Sequence, residues 1–255
     1  MPDWALFAVV VGFVLVVALV GLYLVRRYLA AWRVNSEVSA AIAAMVMTLF
    51  ALVLAFASIN LYDSYRNAKV NVAAEANSLA QIARDTRVFP KADQERVDKE
   101  IVAYIREVTD KEFPMLHDGT FDPHAQSDAE KLFNGVQSLN PKTDTQRIFL
   151  ASAVGKLNDM LADRRNRIDE ANASLPGSLT ALILITAAVS ILITLFLRMD
   201  ARPMEILIVS CVAIVVGAGL LTVLLLEYPF SGSVAVAPHV FEQGVLGQLL
   251  AHYPG

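Results

Sequence analysis

Cysteine occurs once in the 255 residues, at Cys211, so no disulfide can form within the chain. Its position inside an apolar stretch makes it a small packing residue. Basic residues are not in excess: 21 Lys and Arg face 25 Asp and Glu, a net charge of −4. That balance argues against nucleic acid as a partner, because a phosphate backbone calls for a basic stripe. A glycine-rich nucleotide loop, a His-Glu-x-x-His motif and a paired nucleophile and base are also missing. Ser64 and Ser231 have no local group to activate them, so no catalytic residue and no cofactor is assigned. The most telling absence is that of charge from four whole segments of the chain.

These segments run from Trp4 to Val25, Ala40 to Ile59, Ser178 to Leu197 and Ile206 to Leu226. Each is close to the ~20 residues a helix needs to cross the hydrocarbon core of a bilayer. Hydrophobic residues make up 56% of the chain and the mean hydropathy is +0.50, yet 18% of residues are charged. The charges must therefore cluster, and they do so between Leu61 and Pro176. The expected fold is all-α and polytopic, with the lipid bilayer as its surroundings. Transmembrane helices occupy 1–60 and 177–227, a helical extramembrane domain occupies 61–176, and a tail covers 228–255.

Met1-Pro2-Asp3 lacks the basic start of a removable signal, so the first span is expected to stay in the protein. Arg26, Arg27 and Arg33 follow that span, and Arg198 and Arg202 join spans three and four. Basic residues near span ends favour the cytoplasm, which puts both termini and the large domain on the extracytoplasmic side.

Span two has no stop at the membrane surface. Helix-compatible residues continue to Val88, before Phe89-Pro90, giving one helix of roughly 45 residues or more. Val97, Ile101, Tyr104, Ile105 and Val108 mark an amphipathic helix ending near Phe113-Pro114. Met115 to Gln126 reads as a loop, and Ser127-Asp128-Ala129-Glu130 as a capping box opening a short helix. A second such signal, Thr143-Asp144-Thr145-Gln146, opens a longer helix with Phe149, Val154, Leu157, Met160, Leu161 and Ile168 as its buried stripe. After the last span, Phe241, Val245, Leu249 and Leu250 could line a short helix lying on the bilayer or on the bundle.

Within span two, Ala41, Ala44, Thr48, Ala51, Ala55, Ser58 and Tyr62 recur every seven residues in steps of three and four. Small side chains in that pattern serve close helix packing in lipid. In an oligomer they equally suit a pore wall, with Ala44, Thr48, Ala51, Ala55, Ser58 and Tyr62 lining it. Bulky Leu49, Phe50, Leu54 and Phe56 would then form a constriction that gates by dewetting. Glu37, Asn60, Glu205 and Glu227 lie near span ends, where they are expected to reach water as anchors. Glu75 sits in an Ala-rich helix, and Arg164, Arg165 and Arg167 either pair with it, Asp63 or Asp163, or form an anion-collecting vestibule. His117, Asp118, Asp122 and His124 share a loop but lack a metal-binding spacing, so no metal is assigned.

Several ordered signatures resemble the bacterial bestrophin-like membrane proteins. They are Tyr62-Asp63-Ser64-Tyr65-Arg66, Glu75-Ala76-Asn77-Ser78-Leu79, Tyr104, Glu112-Phe113-Pro114-Met115, Arg164-Arg165 with Arg167, Leu175-Pro176 and Pro229-Phe230-Ser231-Gly232. Phe113 stands where the family pattern usually has Trp. The resemblance implies a multi-pass protein of the bacterial inner membrane. It also implies a homo-oligomer, pentameric by analogy with the bestrophins, passing small ions, with anions favoured, through a pore lined by span two. Bestrophins keep their large domain in the cytosol, opposite to the side the arginines indicate here; the arginine reading is retained. The alternative function is a non-conducting, membrane-anchored sensor or assembly module.

Overall fold

A computed structural model describes residues 3–28, 36–117, 120, 122–172, 175–197, 202–227, 229–230 and 235–254. Arg33, Asp118, Arg198, Ser231 and the side chain of His117, singled out above, lie outside the described structure. The described residues are helical with no strand, and four helices are long and apolar enough to cross a membrane. Two compact units emerge: Met1–Asp63 with Ser174–Glu227, and Ser64–Ala173 with Tyr228–Gly255.

The first unit holds α1 (Asp3–Tyr28), the first half of α2 (Ser36–Asp85), α7 (Gly177–Leu195) and α8 (Arg202–Leu226). Val14, Ala18, Leu22, Phe50, Ala187, Val209 and Ala213 pack its main core. Helices α1 and α8 run antiparallel, Arg26 meeting Glu205 and Val11 meeting Gly217. A Cβ on Gly217 would stand 3.1 Å from the Cα of Val11, so this crossing needs glycine for close backbone approach. In α7, Thr186, Ser190 and Thr194 are buried, and each returns its hydroxyl proton to a carbonyl one turn back, at 2.8, 2.7 and 2.7 Å. Without water in the hydrocarbon core, such back-bonding is how a lone hydroxyl is satisfied.

The second unit contains the rest of α2, then α3 (Lys91–Glu107), α4 (Phe113–His117), α5 (Pro123–Gln137), α6 (Asp144–Asn172) and α9 (Gly244–His252). Leu79, Ile82, Ile101, Ile105, Leu132, Leu157 and Met160 are fully buried in one core. Phe241 and Leu246 belong to that same core, so the C-terminal helix packs on the bundle. Helix α2 is unbroken for 50 residues, roughly 75 Å, and closes with a 3-10 turn over Thr86–Val88.

Two expectations need correction. The capping box at Ser127 is not a helix start: α5 begins at Pro123, and Asp122 caps it by accepting from the His124 amide at 2.8 Å. Proline at the first helical position, behind an Asx cap, outcompetes the later Ser-Glu pair. Helix also persists where a loop was expected, because a π-helical turn over Val108–Glu112 leads directly into α4. At Thr143 the second signal does cap its helix, accepting from Gln146 N at 3.2 Å.

Candidate functional site

In the first unit, α2 presents three faces, as 100° per residue requires. Ala43, Phe50, Val53, Ala57 and Leu61 are buried against the neighbouring helices. About 130° away lies the small-residue stripe. Ala44, Thr48, Ala51, Ala55 and Tyr62 are exposed in the protomer and Ser58 is half-buried. A third face carries Met45, Leu49, Leu52, Phe56 and Ile59, all exposed. The constriction set is therefore split. Phe50 lies in the protomer core and Leu54 packs beside it against Gly219, whereas Leu49 and Phe56 look outward. Phe50 is withdrawn as a constriction residue, because a side chain filling one protomer's interior cannot also face an axis shared between copies; Leu54 is half-buried. The Thr48 hydroxyl donates to the Ala44 carbonyl at 2.8 Å and offers only lone pairs outward.

Glu205 also departs from expectation. It is 3% exposed and accepts from Arg26 Nε at 3.0 Å, so it clamps α1 to α8 instead of reaching water. Asn60 is exposed and donates to the Phe56 carbonyl.

In the second unit, α6 turns a stripe inward at steps of four and three: Ala153, Leu157, Met160, Arg164, Arg167 and Ala171. Two arginines thus occupy core positions. Arg167 is fully buried and grips Glu75 through Nε to Oε2 at 2.8 Å and Nη2 to Oε1 at 3.2 Å. The same Nη2 reaches Glu112 Oε2 at 2.7 Å, while Arg164 Nη2 donates to Glu112 Oε1 at 2.6 Å. Arg164 Nη1 binds Gln126 at 2.7 Å, and the Tyr104 hydroxyl donates to Glu75 at 2.5 Å.

Two carboxylates and two guanidiniums balance in charge, as burial demands. Burial alone would lower the pKa of Arg167, but Glu75 and Glu112 more than reverse this and hold it above its usual value. Burial, followed by the Glu75 charge, pushes the Tyr104 phenol well up, so it stays a donor. The Arg167 guanidinium also lies over the Phe113 ring, 5.1 Å from its centroid, and Phe230 and Phe241 meet Phe113 edge-on at 5.8 and 6.2 Å.

Of the sequence candidates, Glu75, Arg164 and Arg167 come together; Arg165 is exposed. Asp63 and Asp163 do not join them. The missed partner is Glu112, whose inward aim comes from the π-helical turn. One extra residue in a turn rotates every later side chain by roughly 100°, which no spacing rule for an α-helix anticipates. Asp122 serves as a cap and His124 is exposed; no group of three metal-ligating side chains exists among the described residues.

The cluster gathers Glu75, Tyr104, Glu112, Phe113, Arg164, Arg167 and Phe230 from signatures scattered over 156 positions of chain, 75 to 230 inclusive. Crystal structures of a bacterial Bestrophin homolog from Klebsiella pneumoniae, carrying single mutations, share the fold. One has a TM-score of 0.76 at 12% identity, over 97% of both chains. Another has a TM-score of 0.75 at 12% identity, over 98% of this chain and 99% of the other. A third crystal structure, described as that of a membrane protein, has a TM-score of 0.74 at 12% identity over 96% and 97%. No curated protein sequence matches. A family model of the Bestrophin-like domain covers residues 6–241, nearly the whole length, and the chain belongs to the bestrophin-like family.

Proposed function

We propose that the protein is a homo-oligomeric channel for passive flow of small ions, with α2 from each copy lining the pore. The observation that carries this reading is the exposed stripe Ala44, Thr48, Ala51, Ala55, Ser58 and Tyr62 along one unbroken helix. Uncharged spans make a poor conduit alone, whereas several copies of such a stripe can enclose a water-filled path. Tyr62 is the widest side chain on that line and its natural narrow point. Anion preference and a pentamer rest on the kinship with bestrophins. The outward-facing constriction candidates, Leu49 and Phe56, lie about 120–140° from the stripe and meet lipid or the next copy when the stripe faces the axis. Glu75, Arg164 and Arg167 act together with Glu112 as an internal brace that holds the emerging helix, since the charges of these four cancel. The span-end arginines support a bacterial inner-membrane location with the second unit outside the cytoplasm.

The test is ion flux from liposomes loaded with chloride. Wild type is expected to leak chloride or another small ion, and Thr48→Trp to cut the flux at least tenfold while leaving the oligomer intact. Tight vesicles containing correctly assembled wild-type protein would overturn the channel. The second reading, a non-conducting sensor or assembly module, draws on a cleft of about 420 Å³ in the second unit, lined by Asn67, Asn71, Asn166, Asp169 and Glu170. Tight vesicles would favour it.

A further inference from the structure

The first unit has a cleft of about 460 Å³ between α1 and α8, at the end where both helices carry arginine. Its wall is apolar below and polar at the mouth. Leu19, Leu22 and Ile206 form the lower part, within the span. At the mouth, Arg26 is committed to Glu205, and the two neutralise each other. Arg202 has no such commitment: it is exposed, lines the cleft and has no ion-pair partner among the described residues. It also stands at the first position of α8, where the positive end of the helix dipole disfavours a cation. Its placement costs the helix something, and no ion pair among the described residues repays it.

Tyr23 completes the mouth. The ring is 58% exposed, and its oxygen accepts from Arg27 Nη1 at 3.1 Å, which leaves the phenolic proton free to donate outward and polarises it. With Arg26 and Glu205 cancelled, Arg27 and Arg202 stand around a hydroxyl donor as positive charges with no ion-pair partner among the described residues. Directly below is an acyl-sized apolar slot. A phosphate at the mouth and a hydrocarbon chain in the slot satisfy both halves at once.

We infer that this cleft is a binding site for a bilayer phospholipid of net negative charge. The net charge matters as well as the phosphate. A zwitterionic headgroup brings its own cation to a site that already holds Arg27 and Arg202.

The experiment is native mass spectrometry of the full chain from neutral detergent micelles, supplied with phosphatidylglycerol or phosphatidylcholine. Phosphatidylglycerol adducts should survive activation that strips phosphatidylcholine. Arg202→Gln should reduce that preference on the order of fivefold, the effect of losing one cation near a headgroup. Arg202→Lys should largely retain it, and Tyr23→Phe should lower it less than Arg202→Gln does. Arg202 is exposed, so these variants should match wild type in circular dichroism and gel filtration. Equal retention of the two lipids would overturn the site, as would an unchanged preference in Arg202→Gln. Displacement of the lipid by millimolar inorganic phosphate would also overturn it, by showing a free-anion site with no need of a chain.

Discussion

Arg167 illustrates how a charged residue becomes a core residue. Its guanidinium touches two carboxylates and an aromatic ring, and it leaves no exposed surface. Replacing it with Met leaves Glu75 and Glu112 as two buried like charges, so Arg167→Met should destabilise the second unit by about 3–5 kcal/mol. Thermal unfolding of the detergent-solubilised protein followed by circular dichroism measures this, and an unchanged midpoint would contradict the brace. Asp98 behaves in the opposite sense. It is 4% exposed, and burial pushes its carboxyl above the usual carboxylate range despite Gln94, Arg87 and His252, which favour the charged form. A carboxyl that holds its proton more tightly when folded contributes stability below its unfolded value, and loses that contribution as pH rises through the folded one. Asp98→Asn should therefore raise the unfolding midpoint at neutral pH. The variant should also lose the part of the pH dependence that lies just above the ordinary carboxylate range. A pH series of unfolding curves for both proteins decides the point. The pairing of Glu75 with an arginine was legible from a charge in an Ala-rich helix, but the partner Glu112 was not.

Helices α1 and α8 depend on a glycine for their spacing. Gly217 lets the backbones approach where a Cβ would nearly touch Val11. Gly217→Leu should push the pair apart at a cost of about 1–3 kcal/mol, the range for overpacking. A lower midpoint, with α2 and the second unit still helical, is the expected result; wild-type stability would mean the crossing is looser than the backbone positions indicate. On α2, the Thr48 hydroxyl already spends its proton on Ala44. On the proposed channel reading, Thr48→Val should then leave flux within about twofold of wild type, because the shape is kept and the hydroxyl proton points back to the Ala44 carbonyl. Long helices were legible from the lack of breakers before Phe89-Pro90. Helix starts were less so, since Asp122 and Ser127 offer competing caps five residues apart, and Pro123 behind the Asp122 cap decides between them.

In the proposed channel, assembly decides activity. A single protomer leaves both the small-residue stripe and the bulky third face of α2 uncovered, and lipid or a second copy must cover each. Cysteine introduced at Ala51 and oxidised in membranes should crosslink copies if the stripe faces a common axis. Phe56→Cys should do so less, being about 140° further round the helix. Crosslinking confined to Phe56→Cys would turn the pore reading inside out. The native Cys211 is exposed on α8, so the test needs a Cys211→Ala background.

Hydropathy and the missing breakers were sufficient for four spans, a long second helix and an all-helical domain. These properties follow from local composition and from the demand that backbone groups in lipid be satisfied within a helix. Spacing was sufficient for the stripe on α2 as well. Partners and faces required three dimensions. Which of three sides of α2 is buried, how a π turn swings Glu112 onto two arginines, and why Glu205 meets Arg26 all depend on residues 50 to 180 positions apart in sequence. A charged side chain reads as surface until its counter-charge is in view, and only the folded chain brings the two together.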